Sequence, residues 1–180
     1  MIIAIVVLAV IVLWAISVQR KFVSLDEFVK NSMSQIGVQM NSRWDALKSL
    51  AELVQSYDKH EYQTLMDVIA SRKPLSRESS AGDVASQESS FASAFKSINV
   101  VAEQYPELKA SEMFKTAMNS VNTYENQVRM SRMTYNDAVT KLNRAVRSFP
   151  DSVLAGVFGF SVKEYLAEPE GKTEMPSMKF

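Results

Sequence analysis

The stretch VKNSMSQIGVQMNSRWDALKSLAELVQSY, residues 29–57, places apolar side chains at Val29, Met33, Ile36, Met40, Trp44, Leu47, Leu50, Val54 and Tyr57, in steps of three and four. Such steps gather side chains on one stripe of a 3.6-residue helix and leave the intervening Ser, Gln, Asn and charged residues on the other face. The stretch therefore predicts a long amphipathic helix with a coiled-coil-like seam. Nothing nearby stops it, for no proline and only one glycine, Gly37, fall between Val23 and Arg72. The expectation is a single helix from Val23 to Arg72. No breaker separates it from the apolar segment upstream, so the two would form a rod of about seventy residues, on the order of 105 Å. A seam that long needs other long helices, or other copies of the chain, beside it.

Upstream, MIIAIVVLAVIVLWAI, residues 1–16, has no polar side chain, and with Ser17 and Val18 the apolar run reaches eighteen residues. As a helix it is about 27 Å long, close to the roughly 30 Å of a hydrocarbon core. Eleven of the first sixteen residues are Ile, Val or Leu, which favours insertion by about 3–7 kcal/mol. Ala15 and Ser17 resemble a signal-peptide cleavage site, but the missing basic n-region and the length of the run favour a retained anchor. Trp14, Arg20 and Lys21 are the expected membrane-interface residues. Arg20, Lys21 and Lys30 follow the span and only the α-amino group precedes it. By the positive-inside rule, the helical domain is then cytoplasmic and the N-terminus outside.

Downstream, KPLSRESSAGD, residues 73–83, reads as a loop. A second helix is expected from about Val84 to Gln104, with Phe91, Phe95, Ile98 and Val101 inward, stopped by Tyr105 and Pro106. A third starts from Ser111 as N-cap and carries Phe114, Met118, Val121, Tyr124, Val128, Tyr135, Val139, Leu142, Val146 and Phe149 up to Pro150. No run alternates with period two between turn signals. The fold class is thus all-α. A transmembrane anchor over residues 1–18 continues into an elongated antiparallel bundle over 19–168 of one long, one medium, one long and one short C-terminal helix. An extended tail occupies 169–180.

Twenty Lys and Arg balance twenty Asp and Glu, and no basic block supplies the counterion release that nucleic acid binding uses. The chain has no cysteine, which removes disulfides, thiolate metal sites and a cysteine nucleophile. His60, the one histidine, is followed four residues later by Thr64, so the HExxH zinc pattern is not met. No Gly-x-Ser-x-Gly elbow or phosphate-cradling glycine loop occurs. The sequence thus points to no catalytic residue, cofactor or metal. Glu103, Glu112 and Glu125 beside Lys109, Arg129 and Arg132 read as i, i+4 or inter-helix ion pairs lacing helix surfaces, with a buried network as the alternative, and Met33, Met40, Met113 and Met118 as packing.

The stretch FPDSVLAGVFGF, residues 149–160, stands apart. Pro150 makes a corner, Asp151 or Ser152 can cap a short helix, and Val153, Leu154, Val157, Phe158 and Phe160 point in nearly every direction. One neighbouring helix cannot bury them all, so the stretch is a core cap, a contact between copies or a membrane-facing surface. The interaction candidates are Phe149, Pro150, Leu154, Val157, Phe158, Gly159 and Phe160, together with Met178 and Phe180 of the tail PEGKTEMPSMKF.

The strings YDKHEYQTLMDVIASR, AEQYPELKASEMF, YENQVRMSRMTYNDAVTKLNRAVRSFP and the opening of FPDSVLAGVFGF jointly resemble the LemA family of bacterial membrane proteins. The resemblance runs from about Phe22 to the closing MPSMKF. It implies an N-terminal transmembrane segment followed by a cytoplasmic or membrane-facing bundle of long helices, and no reaction. Some members are associated with building membrane compartments in bacteria. The chain departs from the family pattern at Ser32-Met33, where an Ala-Trp pair is usual, and at Ser42-Arg43 followed by Leu47-Lys48-Ser49-Leu50, where Arg-Arg and a Pro-Asn turn are usual, so the first helix should be straighter here. The expected function is a non-enzymatic scaffold that self-assembles at a bacterial membrane, with the bilayer and a homo-oligomer as partners. An adaptor for another membrane or cytoplasmic protein is the alternative.

Overall fold

The computed structural model describes residues 1–167. All their regular structure is helical: α1 (Ile2–Val54), α2 (Lys59–Ser71), α3 (Ala81–Gln104), α4 (Pro106–Ala110), α5 (Glu112–Arg147) and α6 (Asp151–Val157). The tail and its candidates Met178 and Phe180 lie outside the described residues.

The single helix expected from Val23 to Arg72 does not form. α1 runs unbroken through residues 47–50 but stops at Val54, whose carbonyl accepts the N–H groups of both Tyr57 and Asp58 at 2.9 Å. The chain then restarts as α2. Neither proline nor glycine makes this break. Asp58 does, as an N-cap whose carboxylate accepts the Glu61 N–H at 2.9 Å. The expected seventy-residue rod is accordingly a helix of fifty-three residues, about 80 Å long.

Beyond the apolar run, only residues 19–54 of α1 require cover, and α5, with thirty-six residues, matches them at about 54 Å. These two helices make the principal contact of the fold. Val29, Met33, Ile36, Met40, Trp44, Leu47, Leu50 and Val54 are all buried. The seam is therefore satisfied within one chain, and its length alone does not call for another copy.

The interior divides into two cores along the α1–α5 axis. The distal one gathers Trp44, Leu47, Leu50 and Val54 of α1 with Leu65, Phe91, Ile98, Leu108, Phe114 and Val121. The other, nearer the apolar run, gathers Val18, Phe22, Val29, Met33 and Ile36 with Tyr135, Val139, Leu142, Ala155 and Leu166. Trp44 links the loop between α2 and α3 to the distal core. Its indole N–H donates to the Gln87 side-chain oxygen at 3.1 Å, and the Gln87 amide donates to the Lys73 carbonyl. Gly37 allows the same loop to approach α1, for a Cβ there would stand 3.0 Å from the Leu75 carbonyl oxygen. α3 starts three residues earlier than expected because Ser80 and Asp83 form a capping box. Ser111 caps α5 as expected, accepting the Phe114 N–H at 3.2 Å.

Candidate functional site at the apolar end of the bundle

Every residue of α1 from Ile2 to Leu13 is exposed; Trp14 is the first to lose exposure and Val18 the first to be buried. α6 is tied to α1 where the apolar run ends. Lys21 Nζ lies 2.7 Å from Asp151 Oδ2, and the Phe22 and Phe160 rings stack at 5.1 Å between centroids. Val18 and Ala155 share one core, against which Trp14, Leu154 and Phe160 pack. Neither Asp151 nor Ser152 caps α6, contrary to expectation: Pro150 is the N-cap residue and no side chain caps it. Asp151 has turned to Lys21 instead.

Gly159 explains how Phe160 reaches the core. α6 closes with the Phe160 N–H on the Ala155 carbonyl at 2.9 Å and the Gly159 N–H on the Gly156 carbonyl at 3.3 Å. This is a Schellman motif, and Gly159 occupies its left-handed position with φ of 76°. The reversal turns Phe160 back onto Phe22.

The extended segment beyond it, residues 160–167, runs antiparallel to α5. The Asn143 side chain donates to the Lys163 carbonyl at 2.9 Å and accepts its N–H at 2.8 Å; Asn136 does the same with Leu166 at 3.0 and 2.9 Å. Seven residues of helix advance about 10.5 Å and three of extended chain about 10 Å, so the two amides fit their partners in register. The Tyr135 hydroxyl donates to the Glu164 carbonyl at 3.4 Å, and burial, then the Glu164 charge, raises its pKa above 10.0. On the α1 side Asp26 holds Lys163 at 3.5 Å and Lys30 at 2.8 Å. Burial works to raise the Asp26 carboxyl, but hydrogen bonds and charge from Lys30 and Lys163 outweigh it and hold the pKa below 3.8.

The interaction candidates thus separate. Leu154 and Phe160 pack inward, Pro150 and Gly159 shape the two ends of α6, and Phe149, Val157 and Phe158 remain exposed. Arg20 is exposed beside the paired Lys21. His60 is exposed on the first turn of α2.

A second cluster lies in the middle of the bundle, and there the surface-pair reading needs correction. Arg43 is 1% exposed and reaches Glu125 at 2.5 Å and Glu88 at 3.0 Å, with Phe91 under its guanidinium at 4.0 Å. Arg132 approaches Glu88 at 3.6 Å. Glu125 and Arg132 therefore belong to a partly buried network, whereas Glu112 pairs on the surface with Lys115. The sequence signal is the phase of Arg43, seven residues after Ile36 and four before Leu47, in the seam itself.

Farther from the apolar run, α1 and α5 leave an open groove of about 910 Å³, lined by small and apolar residues such as Ala46, Ser49, Leu53, Met113 and Ala117 and also by the carboxylates of Asp45, Glu52 and Glu112. Met113, read from the sequence as packing, is 69% exposed there.

The chain matches the LemA family over residues 32–180. It belongs to the LemA family. Among similar proteins are Magnetosome protein MamQ 2 of Paramagnetospirillum magneticum, 32% identical over 84 residues, and Magnetosome protein MamQ of Magnetospirillum gryphiswaldense, 30% identical over 84 residues. Each match covers 46% of this chain and 31% of the relative, so this LemA chain spans about a third of the curated relatives it matches. Its α1 is long and apolar enough at the N-terminal end to cross a membrane, and the location is a membrane one.

Proposed function

We propose that this LemA-family protein is a single-pass, non-enzymatic scaffold of a bacterial membrane, with its helical domain in the cytoplasm and copies associating laterally through the α1–α5 groove. The groove carries the reading. Its floor of small and apolar residues, Ala46, Ser49, Leu53 and Ala117 with Met113 exposed, suits the approach of another helix, and Asp45, Glu52 and Glu112 at its edges offer carboxylates to that partner. Trp44, Leu47, Leu50 and Val54 of the same stretch of α1 share a core with α2 and α3. Anchoring supplies the rest. Copies held in one plane with one orientation meet at the same height and at high effective concentration, so a modest interface suffices. A twofold axis along the membrane normal would set the groove of one copy against that of the next. Arg20, Lys21 and Lys30 favour the cytoplasmic orientation. The relatives named as magnetosome proteins are consistent with membership of a membrane-associated assembly.

Because the chain lacks cysteine, single-cysteine variants report contacts cleanly. Oxidation of Ser49→Cys in native membranes is expected to give a disulfide-linked dimer, and Ser89→Cys, on the exposed face of α3, is not. Equal, background-level linking of both would refute association through the groove.

A further inference from the structure

α6 is apolar on both faces. Leu154 and Ala155 pack inward, while Val153 and Val157, four residues apart on the other face, are 60% and 74% exposed, and Phe149, two residues before the helix, is 85% exposed. Three large apolar side chains left exposed within nine residues are the kind of cluster that marks a contact surface, and its position in the fold points to what covers it. α6 is fixed to α1 at Lys21 and Phe22, and it shares a core with Val18. An eighteen-residue span is about 27 Å long, slightly short of a core of about 30 Å, so residues 18–22 lie in the interfacial layer and not in bulk water. Whatever is bound to those residues lies there too. The antiparallel course of α5 brings Arg144 and Arg147, in its last turn, to the same end as Arg20 and Lys21.

We propose that α6 is a second membrane contact. Its Val153 and Val157 face, with Phe149 just before the helix, enters the interfacial layer of the bilayer that α1 crosses, and the surrounding arginines meet anionic lipid headgroups. An interfacial helix holds its apolar side at the acyl boundary and its basic flanks among phosphates. Here the body of the bundle supplies those flanks. The contact would fix the tilt of the bundle on the membrane, because a single helix leaves its domain free to swing and a second point of attachment does not. The proposal rests on residues 2–18 crossing the bilayer.

Single-cysteine variants of the full chain, carrying an environment-sensitive fluorophore, test it in vesicles of phosphatidylcholine and phosphatidylglycerol. Val157→Cys is expected to lose emission to a nitroxide near the lipid headgroup and to resist aqueous iodide. Ser89→Cys should do the reverse. Leu8→Cys reports the span itself. Lipid quenching at position 8 with iodide quenching at 157 would overturn the α6 contact and leave the anchor standing. Protection at 157 from both quenchers would also overturn it, in favour of a contact between protein copies. Iodide access at position 8 would overturn the span and the α6 contact together. Lipid quenching at 157 should weaken when phosphatidylglycerol is omitted; equal quenching in both lipids would remove the role given to the arginines.

Discussion

Asn143 of α5 exchanges two hydrogen bonds with Lys163: its amide donates to the Lys163 carbonyl at 2.9 Å, and its oxygen accepts the Lys163 N–H at 2.8 Å. With Asn136 two helical turns earlier, it holds the C-terminal segment as a neighbouring β-strand would, by pairing the backbone. Replacing Asn143 with Ala removes both bonds and is expected to cost about 2 kcal/mol, at roughly 1 kcal/mol for each. The effect should be local first. Hydrogen exchange at Lys163 and Leu166 is expected to accelerate well before that of α1 or α5, and unchanged protection in Asn143→Ala would contradict the pairing.

Gly159→Ala isolates the turn that returns Phe160 to Phe22. No atom lies within 4 Å of the position a Cβ would take, so the penalty is conformational, about 1 kcal/mol for a left-handed residue with a side chain. A fall of that size in unfolding free energy is expected from denaturant titration. Gly156→Ala, in ordinary helix and equally unobstructed, should be neutral or stabilising.

Arg43→Ala is expected to be far more damaging. It takes the buried guanidinium from between Glu125 and Glu88, leaving Arg132 at 3.6 Å as the cation beside Glu88, and opens a void beneath Phe91. The loss should be about 3 kcal/mol, the lower end for a broken buried pair, because both carboxylates are partly exposed. Arg43→Met, which fills the space but leaves the carboxylates, should fall between Ala and wild type. Thermal unfolding of the three proteins would show the order.

Much of this architecture is written in residue phase. The three- and four-residue steps from Val29 to Val54 correctly mark the buried face of α1, and Ser111 marks the start of α5. The end of α1 escapes a search for breakers, because one helix can be stopped by the start of the next. Asp58 with Glu61 three residues later begins a new helix as effectively as proline ends an old one. Arg43 is hidden differently. Its seam position is legible, but the carboxylates that make burial tolerable come from α3 and α5, far along the chain. Asn136 and Asn143 look like solvated positions on an amphipathic helix, and the segment they bind has no periodicity to reveal it. In FPDSVLAGVFGF the apolar pattern correctly implies that one neighbour cannot bury every side chain. Which ones turn inward depends on the reversal at Gly159.

Asp26 makes the docking of the C-terminal segment sensitive to acid. Its pKa is lowered in the fold from the ordinary 3.8, so its contribution is fully present above that value and is lost as pH falls through the lower, folded one. Exchange protection around Lys163 is expected to hold through mildly acidic conditions and to drop below about pH 3.8. Asp26→Asn should abolish that step. A step that persists unchanged in the variant would assign it to another carboxylate.

The central claim is that copies of the anchored bundle associate. The most direct measurement is the protein mass of the full chain in mild detergent, by light scattering, over a range of concentrations. The account predicts a mass at least twice the 20.2 kDa of one chain, falling toward one chain for Ser49→Trp, whose indole would block the groove. A wild-type protein that remains at 20.2 kDa at every concentration would contradict it.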